Sequence, residues 1–373
     1  MSEGVYRHTC IRGVAERDLP DGLVYRVGVS TARLLRPNAA PVARIVVARD
    51  CRRSSPRLFE ALVHGMVDGG ADVIDVGVGP MPLLSFGVQL LEGDGGVMIT
   101  GGHEPGDVNG FKLVRASGPL GAADIRTLAE RARDTTPPVG TRGSLQTTPI
   151  EDAYLDELRD RVLLAEPKPK LVVDGGHGVA GPVGMRALRR AGLAPIGLNA
   201  TMDGSFPRHP PDPSVPANLA ELGASVRQHG AGLGVSWDAD GDRLGVVDAS
   251  GEVVAPARLL VLFARDVLAA RAGAAIVVGP GLDQTVMDDI AAHSGRALRA
   301  DLTSATARAS EEGALLAGDV DGHFAFGDRY HGYDDAIYAT LRLVDVLARS
   351  GRALHELPIG WPDVAECAAG VES

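Results

Sequence analysis

Asp238-Ala-Asp240-Gly-Asp242-Arg243 sets three carboxylates at alternate positions and closes them with an arginine. Three anions this close repel, and each resists ionising unless a cation neutralises them. A hard divalent ion with oxygen ligands, magnesium foremost, resolves that repulsion. The alternative is an acidic turn exposed to water. The flanks weigh against it, because Ala231-Gly-Leu-Gly-Val-Ser-Trp237 precedes the run and Leu244-Gly-Val-Val247 follows it. The acidic run therefore caps a strand-turn-strand unit. Arg243 would place a planar cationic fork beside the metal, the pairing that holds a phosphate. An EF-hand needs Gly at its sixth position and Glu at its twelfth. Arg243 and Ala249 stand there, and that reading fails.

The elements that position such a loop are short β-branched runs alternating with helical stretches. Ile45-Val-Val-Ala48 predicts a strand, and residues 55–68 a helix with Pro56 in its first turn behind a Ser cap. Asp72-Val-Ile-Asp-Val76 and Gly95-Gly-Val-Met-Ile-Thr100 predict further strands, the latter running into a Gly-rich loop. The pattern restarts at Lys170-Leu-Val-Val-Asp174, followed by the turn Gly175-Gly-His-Gly178 and a helix to about Ala191. It restarts again at Ala275-Ile-Val-Val278, with a helix over about Asp283 to His293. Three such restarts imply three α/β units with mixed or parallel sheets. The expected linkers are Thr135 to Pro149 and the segment around Gly251 to Pro256. The tail from Trp361 carries no strong element signal.

A length of 373 residues exceeds one ordinary core. With 45% hydrophobic and 23% charged residues, and no apolar run long enough to span a bilayer, the chain reads as a soluble globular protein with no membrane partner. A net charge of -11 argues against nucleic acid as partner but leaves room for a local cationic pocket. The N-terminus lacks a signal-peptide pattern. Cys10, Cys51 and Cys367 are widely spaced and odd in number, so a reducing cytoplasm is the expected setting. Lysine is scarce, only Lys112, Lys168 and Lys170. The placement of Lys112 matters for that reason.

The motifs, in order, resemble those of the α-D-phosphohexomutase superfamily, which includes phosphoglucomutases and phosphomannomutases. Ile11-Arg12-Gly13 resembles the end of its YDIRG segment, with Thr9-Cys10 where Tyr-Asp is usual. Arg49-Asp50-Cys51-Arg52-Arg53-Ser54-Ser55 resembles GRDxRxSS. The stretch from Gly96 to Lys112 resembles the active loop GVMITASHNPxxxNGFK. Asp203-Gly-Ser-Phe-Pro207 and the DADGDR run match second-domain motifs. Gly318-Asp-Val-Asp-Gly-His323 resembles the sugar-recognition loop GEMSGH, and Asp328-Arg-Tyr-His-Gly-Tyr-Asp-Asp335 also reads as the family's.

The resemblance implies three consecutive α/β domains with mixed sheets around a central cleft. Expected bounds are 1–150 with the active loop, 151–253 with the metal loop, and 254–373 with the sugar loop. The family's fourth domain, which grips the substrate's non-reacting phosphate, would begin about where this chain stops. The cleft is therefore expected to be open on one side, for closure by a larger substrate or by a second subunit in a homo-oligomer.

Three departures shape the expected chemistry. Gly102 stands where the family's serine carries the phosphoryl group, so the loop reads Thr100-Gly-Gly-His-Glu-Pro105, with Glu104 for Asn. Glycine has no nucleophile, and the phosphoserine route cannot run through it. Asp319 and Asp321 replace the Glu and Ser of the sugar loop, and the chain is shorter than the family pattern.

The resemblance implies magnesium at Asp238, Asp240 and Asp242, with Arg243 stabilising charge on a transferring phosphoryl group. Lys112 would lie near the reacting oxygen as proton donor or phosphate ligand, with Arg12 nearby. His103 would either move a proton or brace the loop. Asp319, Asp321, Gly322 and His323 would meet a phosphorylated sugar or sugar-like molecule. Asp50, Arg52 and Arg53 are expected to form an internal ion-pair network, and Gly175 to Gly178 a plain strand-to-helix turn. Three functions fit: hydrolysis or direct phosphoryl transfer on a sugar phosphate; 1-phosphate/6-phosphate mutase activity by another route; or non-catalytic sugar-phosphate binding.

Overall fold

The structure is a computed structural model that describes residues 3–7, 9–36, 42–133, 140–300, 313–358 and 360–361. The tail beyond Trp361 and the start of the first expected linker lie outside the described residues.

Three mixed sheets follow one another along the chain. The first joins β1 (Cys10–Val14), β2 (Ala43–Arg49), β3 (Ala71–Val78), β4 (Gly95–Ile99), β5 (Val108–Arg115), β6 (Gly118–Pro119) and β7 (Leu145–Thr147). Its order is β1-β5-β4-β2-β3-β7, with β6 paired to β5. The second sheet joins β8 (Leu171–Asp174), β9 (Ile196–Leu198), β10 (Leu233–Trp237) and β11 (Leu244–Asp248) in the order β11-β10-β8-β9. The third joins β12 (Ala275–Val278), β13 (Arg296–Arg299), β14 (Ala314–Gly318) and β15 (Phe324–Phe326) in the order β13-β12-β14-β15. Each has a parallel heart and an antiparallel edge. Helices cover both faces, so the parallel strands read as continuous apolar runs.

Local sequence accounts for the elements. The helix Ser55–Asp68 carries Pro56 in its first turn and buries Leu58, Leu62 and Met66, one stripe at helical spacing. It lies against Asp21–Leu35 backbone to backbone. A β-carbon on Gly28 would sit 2.1 Å from Leu62 O, and one on Gly65 would sit 2.0 Å from Tyr25 O. No larger residue fits at either point.

Two readings of the sequence need correction. The segment expected to be a linker includes β7, which pairs in parallel with β3 at the sheet edge. Its Leu145-Gln-Thr run is short and exposed, and too polar to read as a strand. Arg53 does not join the network around Asp50, because its side chain points into solvent while Arg52 is fully buried.

The acidic loop, residues 238–243, is held where the three sheets converge. Asp240 O accepts the N–H of Met81, at the start of the helix Met81–Leu90 above the first sheet, at 2.7 Å. Gly241 O accepts the N–H of Ala336, the first residue of the helix Ala336–Ser350, at 3.1 Å. Leu244 N donates to Gly322 O at 2.9 Å, and Arg243 bridges to His323. Trp237, buried in β10, donates its indole N–H to Thr340 at 3.0 Å. The acidic loop thus takes its backbone geometry from all three units.

Candidate active site

Each aspartate of the triad divides its oxygens between two tasks. Asp238 Oδ1 accepts the backbone N–H groups of Gly241, Asp242 and Arg243 at 2.9, 3.1 and 3.1 Å. This folds the loop as an Asx-type turn, while Oδ2 is left buried without a partner. Lys112 Nζ lies 2.9 Å from Asp240 Oδ2 and 2.5 Å from Asp242 Oδ2. Asp240 Oδ1 and Asp242 Oδ1 are likewise buried without a hydrogen-bond partner among the described residues, the latter 3.6 Å from His323 Nε2. Every aspartate therefore keeps one bare oxygen, and ligand atoms of the three lie within 4.8 Å of one another.

Burial and the charges of Asp240 and Asp242 push the Asp238 carboxyl well above the usual range. At Asp242 burial acts the same way, but Lys112 and His323 outweigh it and hold that carboxyl well below the range. Lys112 pairs with two of the carboxylates, and His323 and Arg243 face the same loop. The bare oxygens, gathered within one small shell, fit a hard divalent cation.

Lys112 reaches the triad from β5, in antiparallel register with Cys10 on β1 and Met98 on β4. Burial opposes its charge, but Asp240, Asp242 and Asp238 more than compensate and raise its pKa above that of a free lysine. It is an ammonium at any working pH. This makes Lys112 an anion ligand or proton donor in the resting site, and not a base.

The active loop sits opposite. Thr100 is buried, and its hydroxyl accepts the N–H of Gly102 at 2.8 Å. Gly102 has φ +56°, and its missing side chain would point to Arg12 and Lys112. Arg52 clamps the loop from beneath, donating to Gly102 O, Glu104 O and Val108 O at 2.6, 2.7 and 2.9 Å, and also to Pro105 O. Glu104, the replaced Asn, lies 3.6 Å from Arg12. His103 lines the cleft between Arg243 and Arg12. Burial and those two cations lower its pKa, so a neutral imidazole faces the cavity.

The loop over 318–323 is more committed internally than the sequence suggested. Asp319 Oδ1 accepts the N–H groups of Asp321 and His323 at 3.0 and 3.1 Å, and Oδ2 accepts from His323 Nδ1 at 2.9 Å. Asp319 is the brace of the loop. Asp321 is half exposed and 3.6 Å from Arg243 Nη2. Gly322 has φ +90°, and a β-carbon there would meet Leu244 O at 2.5 Å. At His323 burial opposes protonation, but Asp242 and Asp319 outweigh it and raise the imidazole well above its usual range. The 3.3 Å approach of Arg243 Nε to its Nε2 is then a contact of two cations facing the acidic loop.

Arg12, His103, Lys112, Asp242, Arg243, Asp319 and His323 line one cavity of about 350 Å³, large enough for a monosaccharide phosphate. Asp238, Asp240 and Asp321 are not among its lining residues, although Asp240 pairs with Lys112 and Asp321 lies 3.6 Å from Arg243. Sequence reasoning missed several of its walls: Thr9, Cys10, Met81, Pro280, Tyr333 and Asp334. Thr9, Cys10, Tyr333 and Asp334 fell within quoted motifs but were given no role, and Met81 and Pro280 carried no signal. Gly175 to Gly178 lie away from the cavity and form a strand-to-helix turn.

Comparison with known proteins follows the same order along the chain. Residues 6–137, 152–251 and 255–362 match "Phosphoglucomutase/phosphomannomutase, alpha/beta/alpha domain" I, II and III. A phosphomannomutase/phosphoglucomutase of Pseudomonas putida is 37% identical over 97% of this chain and 78% of its own length. A phosphoglucomutase of Neisseria gonorrhoeae is 35% identical over 96% and 78%. The crystal structure of a phosphoglucomutase/phosphomannomutase family protein from Burkholderia thailandensis superposes with a TM-score of 0.89 at 34% identity, covering 95% of this chain and 79% of that one. Among the described residues no helix is long and apolar enough to cross a membrane. With three domains matched in sequence order and relatives aligned along nearly the whole chain, this protein belongs to the phosphoglucomutase/phosphomannomutase family.

Proposed function

We propose that this protein is a magnesium-dependent phosphoryl-transfer enzyme acting on a hexose phosphate, without a phosphorylated residue at position 102. The observation that carries the reading is the orientation of Gly102. Its absent side chain points at Arg12 and Lys112, beside three aspartates that each keep a bare oxygen. A cationic recess stands where a phosphorylated side chain would otherwise project, and it suits the phosphoryl group of the substrate itself.

Asp238, Asp240 and Asp242 would hold the magnesium, which would supply Lewis-acid neutralisation of charge on the phosphoryl oxygens. Arg243 and Arg12 bind those oxygens by charge-assisted hydrogen bonds. Neutral His103 takes the proton from an attacking water or hydroxyl. The new P–O bond forms to that oxygen as the bond to the sugar oxygen breaks, and the Lys112 ammonium gives the departing oxygen its proton. Hydrolysis and direct transfer to a second hydroxyl differ only in the attacking group.

Mutase activity through a freely exchanging bisphosphate is the second reading, favoured by the names of the relatives at 37% and 35% identity. A pure binder is disfavoured by the triad, because sugar recognition does not need a buried site with three bare carboxylate oxygens.

Single-turnover incubation with labelled hexose 1,6-bisphosphate and magnesium tests the proposal. Free phosphate, or label on an added acceptor, is expected. Interconversion of hexose 1- and 6-phosphates with no phosphate release would replace it with the mutase reading. Binding without chemistry would overturn both.

A further inference from the structure

The segment Asp203-Gly-Ser-Phe-Pro207 has no part in the chemistry above, yet it carries a strained residue. Phe206 has φ +49°, the left-handed region that a bulky side chain rarely adopts, and it is only 7% exposed. Backbone in such a conformation persists where its surroundings over-determine it, and it clusters at functional sites. The turn is fixed from within. Asp203 N donates to His177 O and Phe206 N to Asp203 O, both at 2.9 Å. Ser205 N and Oγ donate to Asp203 Oδ1 at 2.9 and 2.6 Å.

This turn belongs to the second domain and is pressed into the first. A β-carbon on Gly204 would lie 2.3 Å from Cys51 O and 2.6 Å from Arg52 Cα. One on Gly106, in the active loop, would lie 2.6 Å from Gly204 O. The Phe206 ring meets the guanidinium of Arg52, whose Cζ lies over it at 4.8 Å from the centroid. That guanidinium is buried, and its N–H groups hold Asp50 Oδ2 and the carbonyls of Gly102, Glu104, Pro105 and Val108. Gly101 packs on the same group, where a β-carbon would lie 2.6 Å from Cζ. A buried cation is drawn to the face of an aromatic ring. Phe206 therefore helps to fix the place of the group that holds four loop carbonyls. The second domain also carries Asp238, Asp240 and Asp242, so the unit that bears the triad grips the loop opposite it.

Resting on the phosphoryl-transfer reading above, we propose that Phe206 is a positioning residue. Acting through Arg52, it fixes the active loop, and with it Gly102 and His103, against the acidic triad.

The test is hydrogen–deuterium exchange of the full chain, read on peptides over 100–110 and 238–243. It compares the wild type, Phe206→Leu, and a protein with trifluorophenylalanine in place of Phe206. The fluorinated ring keeps its shape but loses the negative charge on its face, which separates attraction from the filling of space. In Phe206→Leu, exchange over 100–110 is expected to rise about 10-fold, the loss of a desolvated cation–π contact, with 238–243 unchanged. The fluorinated protein should show a rise in the same peptide. With hexose 1,6-bisphosphate and magnesium, kcat of Phe206→Leu should fall by a similar factor while KM holds, because Arg12 and Arg243 still bind the phosphate. Added to Arg52→Lys, the Leu substitution should cost little more, since both loosen one clamp. If the fluorinated protein exchanges over 100–110 like the wild type, or Phe206→Leu loosens the whole chain equally, or the kcat losses add in full, Phe206 only fills space and the proposal is overturned. A wild type without turnover would sink the phosphoryl-transfer reading alone, and exchange would still decide whether Phe206 holds the loop.

Discussion

Gly102 faces Lys112 across the cleft: a β-carbon built on the glycine would lie 3.6 Å from the lysine's Nζ and 3.1 Å from Arg12 Nη2. The backbone at position 102 is thus held in place with no side chain on it. Arg52 holds the carbonyl of that residue and Thr100 receives its N–H, so the loop's shape does not depend on a side chain there.

Restoring the hydroxyl is therefore informative. Gly102→Ser should fold at a cost of about 1–2 kcal/mol, because φ of +56° is left-handed backbone. The Arg12 guanidinium, at the end of a flexible side chain, must move aside. With magnesium and hexose 1,6-bisphosphate the variant should take up one phosphate, read by intact mass, and the wild type should take up none. A folded variant that remains unlabelled would show that the recess cannot deliver a phosphoryl group to position 102.

The cation assignment is tested at Asp240, which is fully buried with one oxygen on Lys112 and the other bare. Asp240→Asn removes one anion from the cage and keeps the volume. Magnesium affinity should fall by at least the roughly 10- to 100-fold that loss of an outer-shell partner costs. Equal calorimetric affinities in the two proteins would remove Asp240 from the metal site.

Much of this architecture was legible in the chain because it is local. Apolar runs such as Ile45 to Ala48 can only be covered strands, and alternate aspartates between two such runs can only cap them. What was not legible depends on which of two like neighbours faces inward. Arg52 and Arg53 are the same residue type side by side, yet the first is buried and the second exposed. Asp334 and Asp335 are likewise identical in sequence terms. Asp335 is consumed by a helix cap and two tyrosines, while Asp334 lines the cavity. Asp319 read as a sugar ligand because polar loop residues near a site usually are, but three donors from its own loop occupy it.

A pH dependence follows from His209, which is not part of the triad. Its Nε2 lies 3.0 Å from Asp174 Oδ2 and its Nδ1 lies 2.8 Å from Pro210 O, two acceptors that only the imidazolium can satisfy together. The Asp174 bond, more than enough to offset partial burial, raises its pKa in the fold. A raised folded pKa means the stabilisation is complete below the unfolded value of about 6.5 and is lost as pH climbs through the folded one. The thermal midpoint of the wild type should therefore exceed that of His209→Asn most at acidic pH, with the gap narrowing as pH rises above about 6.5. A gap that widens with pH would reverse the assignment.

Arg52 offers the sharpest contrast between neighbours. All five N–H groups of its guanidinium are used: Nε on Asp50 Oδ2 at 2.8 Å, Nη1 on Pro105 O and Val108 O, and Nη2 on Gly102 O and Glu104 O. Its plane also lies 4.8 Å from the Phe206 ring centroid, which links the active loop to the second domain's Asp203-Gly-Ser-Phe-Pro207 segment. Lysine keeps the charge but has three donors on a single nitrogen. Arg52→Lys must therefore leave buried carbonyls of the active loop unpaired, at about 1–3 kcal/mol each. Urea unfolding should show a loss of about 2 kcal/mol or more for Arg52→Lys, against less than about 0.5 kcal/mol for the exposed Arg53→Lys. Turnover should fall with the former even at temperatures where it stays folded, because the loop that carries Gly102 and His103 loses its clamp. Equal stability of the two variants would mean that the loop holds its shape through its own backbone, and the clamp would then have no part in presenting His103 to the cleft.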